Sequence, residues 1–102
     1  MSKRLAILES IVASGNADPF AWYGLGMEYR KEGRLAETLD TFGKLRTLHP
    51  TYLPVYLMAG QVLLGEQRNA EACEWLEAGV ILAKAQSAEH ALGELESALE
   101  SC

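Results

Sequence analysis

The stretch AWYGLGMEYRKEGRLAETLDTFGKLRTLHP, residues 21–50, organises the chain. Trp22, Leu25 and Tyr29 fall three and four residues apart, the spacing of one face of a helix. Gly26 puts no side chain beside that stripe, so a second helix can come close there. Phe42 is the bulky residue that fills the space left. Gly33 separates two helical patterns, and His49-Pro50 ends the second, because the residue before a proline avoids helical geometry. One small and one large residue at fixed places set the angle between the two helices of a hairpin.

The same periodicity extends in both directions. Apolar residues recur at three and four, with no sustained alternation of period two, which predicts an all-α chain of about six helices. The first covers Lys3 to Ala13 and stops at Ser14-Gly15-Asn16, where Gly15 can take the left-handed conformation. The second starts with Asp18 as cap and Pro19 in the first turn, and runs to Glu32. The third covers Leu35 to Leu48. The fourth is expected to take Thr51 as its cap, carry Pro54 in its first turn and stop at Gly65. The fifth begins near Asn69, as cap, and runs to about Ala85; the sixth starts about Ser87 and continues to the C-terminal residues. Loops this short force neighbouring helices to be antiparallel.

FAWYGLGMEYRKEGR (20–34) aligns with PVYLMAGQVLLGEQR (54–68) at an offset of 34 residues. Trp22 falls over Tyr56, Leu25-Gly26 over Ala59-Gly60, Tyr29 over Leu63, Thr38 over Ala72 and Phe42 over Leu76. Stacking hairpins at a constant period produces a right-handed spiral.

This pattern resembles the tetratricopeptide repeat, whose signature is W-x2-L-G-x2-Y, then A-x3-F, then P. Here it reads Trp22, Leu25-Gly26, Tyr29, Thr38 in the alanine place, Phe42 and Pro50. The second unit keeps Gly60, Ala72 and Leu76, has Tyr56 for the tryptophan, and lacks the closing proline. The resemblance, to small bacterial-type members of the family, implies an α-α superhelix, a tetratricopeptide solenoid of antiparallel hairpins. The 102 residues then form one domain: a half-unit helix in 1–15, repeats at 19–52 and 53–86, and a capping helix in 87–102. Leu8 stands where Phe42 stands one period later, and Leu92-Gly93 echoes Leu25-Gly26, one residue short of the period.

Composition narrows the function. The formal net charge is −5 and the nine basic residues never exceed two in a row, which disfavours nucleic acid, whose binding leans on dense positive charge. Glu9 interrupts the apolar N-terminal stretch, so it reads as an amphipathic helix rather than a signal peptide, and no window approaches a membrane span. The expectation is a soluble cytoplasmic protein with no membrane partner. Cys73 and Cys102 are too few for a disulfide framework and lack metal-type spacing. Cys73 reads as a small core residue, and Cys102 as a fraying terminal residue open to reactive or intermolecular chemistry. His49 and His90 lie on separate helices, poor support for a metal. Glutamates on the fifth and sixth helices read as a solvated face. No phosphate-binding loop, dinucleotide fingerprint, C-x-x-C or nucleophile elbow is present, so neither an enzyme nor a cofactor is expected.

In tetratricopeptide arrays the first helix of each hairpin lines a concave groove that holds a peptide or helix. Carried over by position, the resemblance implies Phe20, Tyr23, Met27 and Arg30 in the first unit and Leu57, Gln61 and Leu64 in the second, with His90 and Glu94 from the half-unit. Some members clamp a C-terminal carboxylate with Lys and Asn; Tyr23 and Met27 occupy those places here, so no clamp follows. The lining is apolar and aromatic with one arginine, the composition of interface cores. Part of it is open to cover by the first or sixth helix, Phe20 first. Two functions follow: a non-enzymatic adaptor that takes an apolar peptide or helix of another protein, or a self-assembling structural protein whose groove or end helices form a homodimer interface.

Overall fold

The computed structural model describes residues 2–15 and 17–102; Met1 and Asn16, the last position of the expected first helix stop, lie outside them. Six helices follow in order: α1 (Lys3–Ala13), α2 (Pro19–Lys31), α3 (Leu35–Leu48), α4 (Pro54–Gly65), α5 (Asn69–Ala85) and α6 (Glu89–Leu99). No strand occurs among the described residues. Ser2 caps α1, its hydroxyl accepting from the Leu5 N–H at 3.0 Å, and Asp18 caps α2 by accepting from the Ala21 N–H at 2.8 Å.

The cap before α5 and the start of α6 differ from the sequence expectation, for one reason that also shapes the turn into α3. Gly33, Gln67 and Ser87 each take a positive φ (74°, 60° and 55°). The next N–H then bonds back to a carbonyl of the helix just ended: Arg34 to Tyr29, Arg68 to Leu63 and Ala88 to Ala83, each at 2.9 Å. Ser87 is therefore part of the turn, and α6 starts at Glu89. Arg68 holds the capping place before α5, and Asn69 is the first helical residue. Arg34 and Arg68 each close onto the glutamate three residues on, Nε to Glu37 at 2.6 Å and to Glu71 at 2.8 Å. Thr51 does not cap α4; Leu53 precedes it and Pro54 opens it.

The chain divides into two compact units, one up to Pro50 and the other from Thr51 to Cys102. In the first, α2 packs against both α1 and α3. Leu5, Leu25 and Tyr29 form a buried cluster, with Leu8 and Val12 packed against it. A Cβ at Gly26 would collide with the Phe42 ring, so the glycine is the socket and the fully buried phenylalanine the knob. Thr38 is also fully buried, its hydroxyl donating to the Arg34 carbonyl at 2.9 Å. Trp22, on the same sequence stripe as buried Leu25 and Tyr29, is only half-buried.

The attachment of α1 has a polar side that the sequence did not disclose. The Tyr29 hydroxyl donates to the Glu9 carboxylate at 2.6 Å. Glu28, which nothing in the sequence singled out, is buried; it pairs with Arg4 at 3.0 Å and accepts from the Ser2 hydroxyl at 3.3 Å.

In the second unit α5 packs against α4 and α6, and α6 also reaches α4. The socket-and-knob arrangement recurs: a Cβ at Gly60 would lie 2.5 Å from Leu76 Cδ2. A further close approach occurs at Gly79, where a Cβ would lie 2.8 Å from Leu95 Cδ2 and 2.9 Å from Tyr56 Cβ. Tyr56 meets Trp75 edge-on, ring centroids 5.7 Å apart. Gln86 donates to the Thr51 carbonyl at 2.8 Å, joining the two ends of the hairpin.

The cysteine expectation is overturned here. Cys73 and Cys102 form a disulfide, Cα atoms 5.6 Å apart across 29 residues of sequence. The cause is the antiparallel return of α6 along α5, which brings the residues after α6 back to the second turn of α5.

Candidate functional site

The buried stripe of α4 is Val55, Tyr56, Ala59, Gly60, Val62 and Leu63, which leaves Gln61 exposed and Leu64 at the margin. On α6 the fully buried residue is Leu95, with Leu92 and Leu99 half-buried. That phase turns His90, Glu94 and Ser97 outward at helical spacing. Between these two sets lies an open cleft of about 730 Å³, lined by Gln61, Leu64, Glu89, His90, Glu94 and Ser97 among others. The His90 Nε2 lies 3.3 Å from Glu94 Oε1. The one-residue slip noted in the sequence has its explanation here. A strict period would put Leu95 opposite Gln61, but Leu95 is buried against α5, so Glu94 takes the place in the cleft.

The seven positions carried over from the repeat pattern are distributed unevenly. Gln61 and Leu64 come together with His90 and Glu94 in this cleft, while Leu57 is half-buried and does not line it. On α2, Tyr23 stacks on Phe42 with centroids 5.9 Å apart, Met27 is half-buried and Arg30 is exposed. Phe20 is not covered by α1, and 69% of its surface is accessible. The reason is helical phase: α2 turns Leu25 and Tyr29 to α1, and Phe20 lies two residues, roughly 200°, around the helix from the neighbouring Trp22.

A second feature of the first unit escaped the sequence reading. Three adjoining clefts of about 560, 470 and 270 Å³ all border Trp22. Their apolar walls include Val12, Leu39, Gly43 and Leu48, and Leu48 is 57% exposed. The only signal for them was Gly43, which leaves the middle of α3 without a side chain and has nothing within 4 Å of the place a Cβ would occupy.

Charge in the first unit is concentrated beside Tyr29. Its hydroxyl is pushed up to about 12, first because it donates to Glu9, then because it is buried, then through the nearby carboxylate charge. Arg34 lies over the same ring, 4.8 Å from its centroid. The Arg34 guanidinium, hydrogen-bonded to Glu37, holds that carboxyl below the usual range. Among the described residues no group of three His, Cys, Asp or Glu side chains is placed to hold a metal, and no helix is long and apolar enough to cross a membrane.

No protein-family model matches the chain, and no curated protein does. Solved structures do. The crystal structure of a tetratricopeptide repeat domain protein from Salinibacter ruber superposes with a TM-score of 0.75 at 26% identity, over 81% of this chain and 92% of that one. A solution structure of a tetratricopeptide repeat domain protein from the same organism gives 0.77 at 27% identity, over 80% and 83%. A Bordetella parapertussis protein gives 0.81 over 98% of this chain and 87% of its own, at 23% identity, a likeness of fold alone. The 34-residue signature, the glycine-and-knob hairpins and the likeness to the Salinibacter domains together identify this chain as a small protein of the bacterial tetratricopeptide-repeat type.

Proposed function

We propose that the chain is a non-enzymatic protein-interaction module, an adaptor, and that the α4–α6 cleft of its second unit holds a helical peptide segment of another protein. The observation that supports this most directly is the convergence of Gln61 and Leu64 with His90 and Glu94 on one open cleft of about 730 Å³. The cleft is more polar than the carried-over positions implied. Leu64 and Ala98 offer apolar contact, while Glu89 and Glu94 add negative charge. The guest this favours is an amphipathic helix, with its apolar side toward Leu64 and basic residues beside the glutamates. The exposed and half-exposed set Phe20, Tyr23, Met27 and Arg30 supplies aromatic, thioether and guanidinium groups of the kind that anchor interfaces.

The test is selection from a displayed library of helical peptides against the oxidised chain, followed by calorimetry on the selected peptides. Enrichment of Lys- or Arg-bearing amphipathic helices, with affinity at least about tenfold weaker for Glu94→Lys, is the expected result. No enrichment, or equal affinity for Glu94→Lys, would refute the reading. Light scattering over a range of concentrations separates it from homodimer formation: a mass near 11 kDa throughout is expected.

A further inference from the structure

We propose that the Cys73–Cys102 disulfide is a thiol-sensitive clasp on the far wall of the α4–α6 cleft, opened by a small-molecule thiol. This rests on the cleft being the binding site.

The argument starts from how α6 is held. Leu95, packed against Gly79, is its only fully buried residue. Beyond Leu95, only Ala98 and Leu99 are even half-buried; Ser97, Glu100, Ser101 and Cys102 are exposed. The N–H groups of Glu100, Ser101 and Cys102 bond to the Ser97, Ala98 and Leu99 carbonyls at 3.3, 3.0 and 3.1 Å, which ties the segment to itself and not to α5. Its one covalent tie to α5 is the disulfide. Yet Ser97, Ala98 and Ser101 line the cleft. The far wall therefore depends on the sulfur–sulfur bond, whereas the near wall, at Glu89 to Glu94, is held by Leu95.

Cys102 is exposed and Cys73 half-buried, so an incoming thiolate reaches the Cys102 sulfur. Attack there forms a mixed disulfide with the small-molecule thiol, and the electron pair of the broken bond leaves on the Cys73 sulfur, which takes up a proton. A second small-molecule thiolate attacks the mixed disulfide, releasing Cys102 as a thiolate that is protonated in turn. Two small-molecule thiols become one disulfide, and one protein disulfide becomes two thiols.

Amide hydrogen exchange on the full chain, oxidised against dithiothreitol-reduced in native buffer, tests this. Reduction is expected to cost the amides of Ala98 to Cys102 about tenfold or more in protection, while those of Leu92 and Leu95 keep theirs. The Cys73→Ala, Cys102→Ala double variant is expected to show the reduced pattern and no response to dithiothreitol. Unchanged exchange at Ala98 to Cys102, loss of protection through the whole of α6, or a disulfide that reacts only after denaturation would overturn the proposal. Exchange is read without a peptide, so a cleft that binds nothing leaves this result standing, and a far wall that stays closed on reduction leaves peptide binding untouched.

Discussion

The two end helices meet the same need by different chemistry. Each packs on a complete hairpin, α1 on α2 in the first unit and α6 on α5 and α4 in the second. Both contribute one fully buried leucine, Leu5 and Leu95. Around it α1 adds half-buried Leu8 and Val12 and polar contacts, Tyr29 to Glu9 and Glu28 to Arg4 and Ser2. Around Leu95, α6 adds half-buried Leu92 and Leu99, and the residues after it are tied to α5 by a covalent bond. A single short amphipathic helix buries too little apolar surface to be secured by that alone, and the two ends have recruited different reinforcements. One is sensitive to pH and the other to thiols.

Four experiments break or sharpen that contrast. The largest effect belongs to the hairpin knobs that both units share. Phe42→Ala is expected to cost about 3–5 kcal/mol, and Leu76→Ala about 2–5 kcal/mol, because the neighbouring glycine cannot refill the cavity. Urea denaturation measures both; a loss under about 1 kcal/mol at either site would remove the socket-and-knob account. Next is the covalent clasp. The Cys73→Ala, Cys102→Ala double variant is expected to lose about 2–4 kcal/mol, chiefly through freedom regained by the unfolded chain. A melting curve matching the oxidised protein would mean that the bond contributes nothing to the second unit.

The polar clasp on α1 is weaker. Tyr29→Phe is expected to cost about 1–2 kcal/mol by leaving Glu9 without its donor. Its pH dependence has a definite sign. The folded state holds the Tyr29 proton more tightly, with the hydroxyl at about 12 against an ordinary 10. The associated stability is complete below pH 10 and is lost as pH rises through 12. Tyr29→Phe should abolish that alkaline loss in circular-dichroism melts. The second unit has Leu63 at the equivalent place and supplies no such term. The smallest effect lies in the turns. Gly33 and Gln67 hold the same left-handed position one repeat apart. Gln67→Gly should stabilise by about 0.5–1 kcal/mol, and Gly33→Ala should destabilise by about 1 kcal/mol. Thermal melts that move in the opposite directions would show that the turns are not equivalent.

How much was legible beforehand depends on the range of the interactions involved. The spans of α1 and α3, the Asp18-Pro19 start and the Gly26–Phe42 pairing could all be read, because each is set within one helix or one hairpin. The start of α5 at Asn69 could be read but not its cap at Arg68, and α6 starts two residues later than expected, because the positive-φ turns at Gln67 and Ser87 use residues with no marked preference for that conformation. In the candidate site, Gln61, Leu64, His90 and Glu94 could be named from the repeat period. That Phe20 is left uncovered by α1, and that clefts surround Trp22, could not be read, because exposure depends on which side of α2 its neighbours take.

The sequence by itself determined the helical class, the hairpin period and the partners of Gly26 and Gly60, since these follow from side-chain spacing and short loops. Only the tertiary structure decided that Cys73 meets Cys102, that Glu28 is buried beside Arg4, and that Glu94 rather than Leu95 faces the cleft. Each of those depends on the rotation and direction of one helix against another. That is settled by packing at Leu5 and at Leu95 on Gly79, where a small turn of the helix exchanges a buried residue for an exposed one.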